Sequence, residues 1–194
     1  MPVGTSRTDE TPRATTAERR AQVVSVASAL AAAGGYDAVT MKAVADDSGV
    51  ALATLYRWFD SKDHLLAEVL LAWLGELGPA VSEAVMRATT ASERVERIMA
   101  LVGDTVAAEP KLAAAAITAL LADDPAVLAI FDTFHAEVGG WLADALDADM
   151  PDRDVVVEVL EHLVWSSLIA LVRGRDTPAT VRVRLVRAAH LLAR

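Results

Sequence analysis

The sequence predicts an all-α protein, and three observations carry that prediction. Apolar residues recur at three- and four-residue spacing in each stretch between breakers. Alanine, the strongest helix former, supplies much of the 54% hydrophobic content. The breakers Gly34-Gly35, Gly49, Pro110, Pro125, Pro151 and Pro178 stand where helices would start or stop, and no stretch alternates with the period of a strand.

Residues 1–15 are rich in Thr, Pro, Arg and Ser without apolar periodicity, so a disordered tail is expected. Arg7 and Arg13 within it could reach a DNA minor groove, as N-terminal arms do. Thr16 can cap a helix to about Ala33, with Val23, Val26, Ala27 and Leu30 on its core face and Gly34-Gly35 ending it. Tyr36 is expected to pack beneath the two short helices that come next in the chain.

Thr40 can cap the first of these, whose inner face is Met41, Val44 and Ala45. Gly49 can adopt the positive φ that turns the chain into the second, roughly Ala51 to Phe59. There Leu55 and Phe59 point inward, while Leu52, Ala53, Thr54 and Arg57 point outward. Asp60-Ser61 caps a further helix that opens with Lys62. Two short helices joined by a tight glycine turn form a helix-turn-helix, whose second helix enters the DNA major groove.

The run from Gly49 to Lys62, GVALATLYRWFDSK, resembles the TetR family of bacterial transcriptional repressors. The family pattern is close to A-G-V-S-x-G-T-[LI]-Y-x-[YH]-F-x-[SN]-K followed by leucines, here Leu65 and Leu66. The usual Ser and Gly of the recognition helix are Ala51 and Ala53, and the second aromatic is Trp58. The resemblance implies a helix-turn-helix domain over residues 16–60 and a helical ligand-binding and dimerisation domain over 61–194. It implies phosphate contacts from Tyr56 and Lys62, with Thr40 and Lys42 as further candidates. Arg57 could pair with a guanine edge, Leu52, Ala53 or the Thr54 methyl could touch thymine methyls, and Trp58 could cover the backbone through its N–H.

Beyond Ser61, a helix carrying Leu65, Leu66, Val69, Leu70 and Trp73 is expected to break near Gly75 to Pro79, with a second segment from Ala80 to Arg87. Thr90-x-x-Glu93 is a capping box that opens a helix to about Glu109, with Val95, Ile98, Met99 and Val102 inward. Pro110 opens a segment to Ala122 bearing Leu112, Ile117, Leu120 and Leu121. Asp124-Pro125 opens another to about Leu146, with Leu128, Phe131, Phe134, His135, Val138, Trp141 and Leu142 inward. The last two, Asp152–Arg173 and Thr177–Ala193, are apolar on more than one face and must be buried on several sides. In the resembling family such helices pair with their two-fold copies, which implies a homodimer on a palindromic double-stranded DNA operator. The layout of the body, with Pro110 and Pro125 opening successive helices, is similar to family members that regulate lipid or steroid breakdown.

Few large side chains among many alanines can leave room between helices for a small hydrophobic effector. Candidate lining residues are Trp73, Met99, Phe131, Phe134, Trp141 and Trp165. Thr105, Thr118, His135, His162 and Ser166 are the candidate polar contacts. Glu158 with His162, and Asp132 with His135, have spacings that permit metal ligation, but no H-E-x-x-H, phosphate loop or nucleophile elbow accompanies them. Ordinary ion pairs explain both, so no metal, cofactor or catalytic set is expected. A helical carrier or enzyme without sequence-specific DNA binding is the competing reading.

The net charge of −9 is unevenly distributed. Residues 1–62 hold seven Lys/Arg and seven acids, whereas the remainder holds 11 basic and 20 acidic residues. The DNA-proximal part of the chain is therefore neutral, and phosphate binding depends on where its cations sit. No cysteine, no signal-like apolar start and no uncharged run long enough to span a membrane point to a cytoplasmic protein.

Overall fold

The computed structural model describes residues 15–193. The proposed N-terminal arm with Arg7 and Arg13 lies outside them. Among the described residues the fold is all-α, as expected: α1 (Thr16–Gly34), a 3-10 turn (Tyr36–Ala38), α2 (Met41–Ser48), α3 (Leu52–Trp58), α4 (Lys62–Met86), α5 (Ala91–Ala108), α6 (Pro110–Ala119), α7 (Pro125–Ala145), α8 (Arg153–Val172) and α9 (Pro178–Leu192).

Most helix starts follow the local chemistry. The side chains of Thr40, Ser61, Thr90, Asp124 and Thr177 each accept a backbone N–H from the first turn they cap. Two starts differ in detail. Thr15, not Thr16, caps α1, and it forms a reciprocal box with Glu18. At α5 the Glu93 carboxylate reaches the N–H and hydroxyl of Thr89 instead of returning to Thr90. Gly49 has φ 68°, the left-handed conformation the turn between α2 and α3 requires.

Contrary to expectation, α4 runs unbroken through Pro79. An internal proline costs about 3 kcal/mol through a lost hydrogen bond and a clash with the carbonyl four residues back. Leu70 and Leu74 before it and Val81 after it all lie in the same core. Each buried side chain of that size contributes about 1.5–3 kcal/mol, so packing on both sides outweighs the break. Ser82 also donates to the Gly78 carbonyl at 3.1 Å.

Two apolar cores result. The first joins α1, α2 and α3 to Leu65, Leu66 and Val69 of α4, and to Leu112, Ala115 and Ala119 of α6. The second unites the remainder of α4 with α5–α9. Helix α6 therefore belongs to both: Ala113, Ala116 and Ile117 face the second core while Leu112, Ala115 and Ala119 face the first. Leu128, expected inside, is exposed, and Val127 and Ile130 take the inner face of α7 instead.

Asp104 pairs with Arg182 and Glu96 with His190, so α5 and α9 lie antiparallel. Gly103 permits their approach: a Cβ there would stand 2.8 Å from the Arg182 Cα.

Among the described residues no helix holds an uncharged run long enough to span a membrane, yet two are long and apolar by mean hydropathy. Helices α4 and α8 both qualify, with mean hydropathy 1.4 and 1.9 over their best windows. Only 22% of the α8 window is buried within the chain, against 39% for α4. Val155 and Val159 on α8, and Val183 and Leu191 on α9, are exposed. A large apolar surface is thus left on the last two helices.

Candidate DNA-binding and ligand sites

The candidate DNA face is assembled by the caps that fix α2, α3 and α4. Leu55 and Phe59 are fully buried and pin α3 to the head. With that face inside, Leu52 (40% exposed), Ala53, Tyr56 (54% exposed) and Arg57 are left outside, and Thr54 and Trp58 are half-buried. No side chain caps α3 at Ala51, the consequence of lacking the serine that the family pattern carries there.

The candidate phosphate contacts are held to different degrees. Thr40 Oγ1 accepts from Ala43 N–H at 3.1 Å and keeps its own O–H for another partner. Lys42 forms an exposed ion pair with Asp46 at 2.6 Å, and that pairing raises its pKa. Exposed pairs of this kind are screened by solvent and weak, so the lysine is readily exchanged onto another anion.

Lys62 is engaged within the head itself. Its ammonium lies 3.6 Å from the centre of the Tyr36 ring and donates to the Tyr36 carbonyl at 3.3 Å. Tyr36 in turn donates its hydroxyl to Asp63 at 2.6 Å; burial first, and then that carboxylate, push the phenol up to about 12. Lys62 is therefore positioned by the fold, and a phosphate would have to compete with Tyr36 for it.

A polar joint ties this head to the body. Ser61 caps α4 and also donates to Asp124 at 2.9 Å, and Asp124 in turn caps α7. The Ala126 N–H, then the Ser61 hydroxyl, hold the Asp124 carboxyl below the usual range. Because that pKa is lowered, the joint's contribution is present above the ordinary carboxylate pKa and is lost as the pH falls through the lowered one. Lys111 donates to the Ala33 carbonyl at 2.8 Å, linking α6 to the end of α1. Replacing Ser61 with alanine should cost about 1–2 kcal/mol, measured by thermal denaturation, through the lost cap and the lost joint. An unchanged melting temperature would show that the joint is dispensable.

A cavity of about 40 Å³ lies in the body core between α4, α5, α6, α7 and α8. Of the expected effector contacts, Trp73, Thr105 and Phe134 line it. Leu70, Leu74, Val106, Ala113, Ile117 and Val164 also line it, although the sequence marks them only as core positions or not at all. Their apolar spacing is that of any core face, so the sequence carries no signal to separate them.

The other expected contacts lie elsewhere. Met99 is fully buried core, and Trp141 packs against the core partly buried. Phe131, His135 and Trp165 pack edge to face beside Phe134, with ring centres 4.4–6.4 Å apart. Thr118 donates to Ala114 O and Ser166 to Leu163 O, while His162 Nδ1 meets Glu158 O. His162 and Ser166 are exposed on α8, away from the cavity, because the inner face of α8 is taken by Leu160, Val164 and Leu168. The Glu158 carboxylate makes no pair with the His162 ring, and no three potential ligands gather into a metal site among the described residues.

Residues 23–69 match the model for bacterial regulatory proteins of the tetR family, and residues 88–192 match a tetracyclin repressor-like C-terminal domain. The chain is 30% identical to the HTH-type transcriptional repressor KstR of Rhodococcus jostii over 177 residues, covering 90% of this chain and 82% of the relative. It is 29% identical to the KstR of Mycobacterium tuberculosis, covering 90% and 80%. A TetR transcriptional regulator from Rhodococcus sp. RHA1 has a similar structure, with TM-score 0.76, 23% identity and coverage of 90% and 94%. FadR from Bacillus subtilis, solved in complex with stearoyl-CoA, matches with TM-score 0.65, 15% identity and coverage of 89% and 97%.

Proposed function

This chain belongs to the TetR family of DNA-binding bacterial regulatory proteins, and on that footing we propose that it is a homodimeric repressor released from a palindromic operator by a small apolar effector. The observation that carries this reading is the double membership of α6. Ala113 and Ile117 line the body cavity, while Leu112, Ala115 and Ala119 of the same helix pack in the head core. A molecule that enlarges the cavity by displacing α6 repacks the head as well, because the other face of α6 lies in the head core.

The effector then acts by population shift, binding the released geometry better than the DNA-bound one. A coupling of about 1–3 kcal/mol is ordinary for such a switch. The cavity of about 40 Å³ is smaller than any such ligand, so its occupation requires this opening. FadR, whose structure was solved with stearoyl-CoA, supports a ligand in a body of this fold. The exposed apolar faces of α8 and α9 support a two-fold interface. We place the division between the DNA-binding and ligand-binding units at residue 60, with the first turns of α4 completing the head core.

Selection of bound duplexes from a random pool, at physiological salt, tests the reading. An inverted repeat is the expected product; a folded dimer that enriches no sequence would sink it. On that operator the double variant Tyr56→Phe, Arg57→Ala should bind at least about tenfold more weakly, since one bidentate base contact alone is worth about 1–3 kcal/mol. Parent-like binding by the folded variant would remove these residues from the interface.

A further inference from the structure

We infer that Arg19, on α1, is a DNA phosphate contact working beside Arg57, an inference that rests on the operator-binding reading above. Most cations of the head are already engaged. Residues 15–62 contain five: Arg19, Arg20, Lys42, Arg57 and Lys62. Arg20 is held by Glu68 through two hydrogen bonds of 2.7 and 3.3 Å and lies over the Phe59 ring. Lys42 is paired with Asp46, and Lys62 is held by Tyr36. Arg19 and Arg57 have neither an ion pair nor a hydrogen bond among the described residues, and both are exposed.

These two unpaired cations are not scattered over the surface. They line a single groove between α1 and the helix-turn-helix. Arg19 and Gln22 stand on the α1 side; Gly49, Thr54, Arg57 and Trp58 form the α3 side. The groove also holds one carboxylate, Glu18, whose Oε2 is engaged by the Thr15 N–H at 2.6 Å in the α1 cap. Two unpaired cations against one carboxylate already bound in a helix cap leave the groove beside the recognition helix with a net positive charge. A phosphodiester is the ligand that neutralises that charge, and a guanidinium can hold it with two parallel N–H donors.

The neighbouring arginine explains why the sequence alone does not single out this residue. Arg19 and Arg20 are adjacent and look interchangeable, yet one helical step of about 100° separates them. That step places Arg20 against α4 and Arg19 at the groove. Since Arg19 lies outside the recognition helix, its contact fixes position without reading sequence.

The test is titration of a labelled duplex carrying the selected inverted repeat, and of a scrambled duplex, across a potassium chloride series. Arg19→Ala should weaken binding to both duplexes by the same factor. With one phosphate released per subunit, the slope of log affinity against log salt should fall by about two per dimer. The deficit should accordingly shrink roughly tenfold between 50 and 200 mM salt. Arg19→Lys should recover most of the slope, because it keeps the charge, and both variants should keep the parent's helical circular dichroism. An unchanged slope and affinity, or a loss confined to the operator duplex, overturns the inference while leaving operator binding intact. A parent that discriminates between the two duplexes no better than a non-specific cation would overturn both readings together.

Discussion

Replacing Phe59 with alanine should destabilise the protein by about 3–5 kcal/mol, the range for emptying a large aromatic site in a core. Phe59 is fully buried at the end of α3, where its N–H closes on the Leu55 carbonyl at 2.8 Å. Its ring also meets His64 edge-on at 5.7 Å and carries the Arg20 guanidinium at 4.8 Å. The cation contact is worth only about 0.5–1 kcal/mol at a partly exposed site, so lost burial dominates the effect. For a chain of this length, each kcal/mol moves the melting temperature by about 2–4 °C, which predicts a fall of roughly 6–20 °C. Operator affinity should drop as well, because Phe59 and Leu55 set how α3 is presented from the inside. A shift of less than about 2 °C would mean that α3 is anchored by something else.

The second large effect is expected at the two-fold interface. Val159 on α8 and Val183 on α9 are 45% and 62% exposed in the single chain. Glutamate at both positions is therefore compatible with the monomer fold, and circular dichroism should be unchanged. In the proposed dimer the same substitutions would bury four carboxylates without partners, and each uncompensated buried charge costs about 3–5 kcal/mol. Analytical ultracentrifugation at micromolar concentration should show a monomer. Operator binding should fall by about 10²–10⁴, the factor by which linking two heads raises affinity over one. A double variant that sediments as the parent dimer would place the interface elsewhere.

These effects divide along a physical line that also separates what could be read from the chain. Helix starts were legible because capping is local: Thr40, Ser61, Thr90, Asp124 and Thr177 act on a backbone N–H two or three residues away. The glycine turn and the inward pair Leu55 and Phe59 were legible because period and backbone conformation depend on neighbours in sequence. The all-α class and the helix-turn-helix needed nothing more.

Competition between distant groups was not legible. Whether Pro79 ends α4 depends on Leu74 and Val81 finding one core on both sides of it. Lys62 looks like a free cation until Tyr36, 26 residues earlier, comes beneath it. Of the candidate effector contacts, only Trp73, Thr105 and Phe134 line the cavity, because its remaining walls are apolar positions on five helices with the same spacing as solid core. The choice between Arg19 and Arg20 as a free cation depends on where α4 puts Glu68. Local hydrogen bonding and periodicity are properties of short stretches and survive in any context, whereas cavities, free charges and the sharing of α6 between two cores exist only once separate stretches are packed against one another.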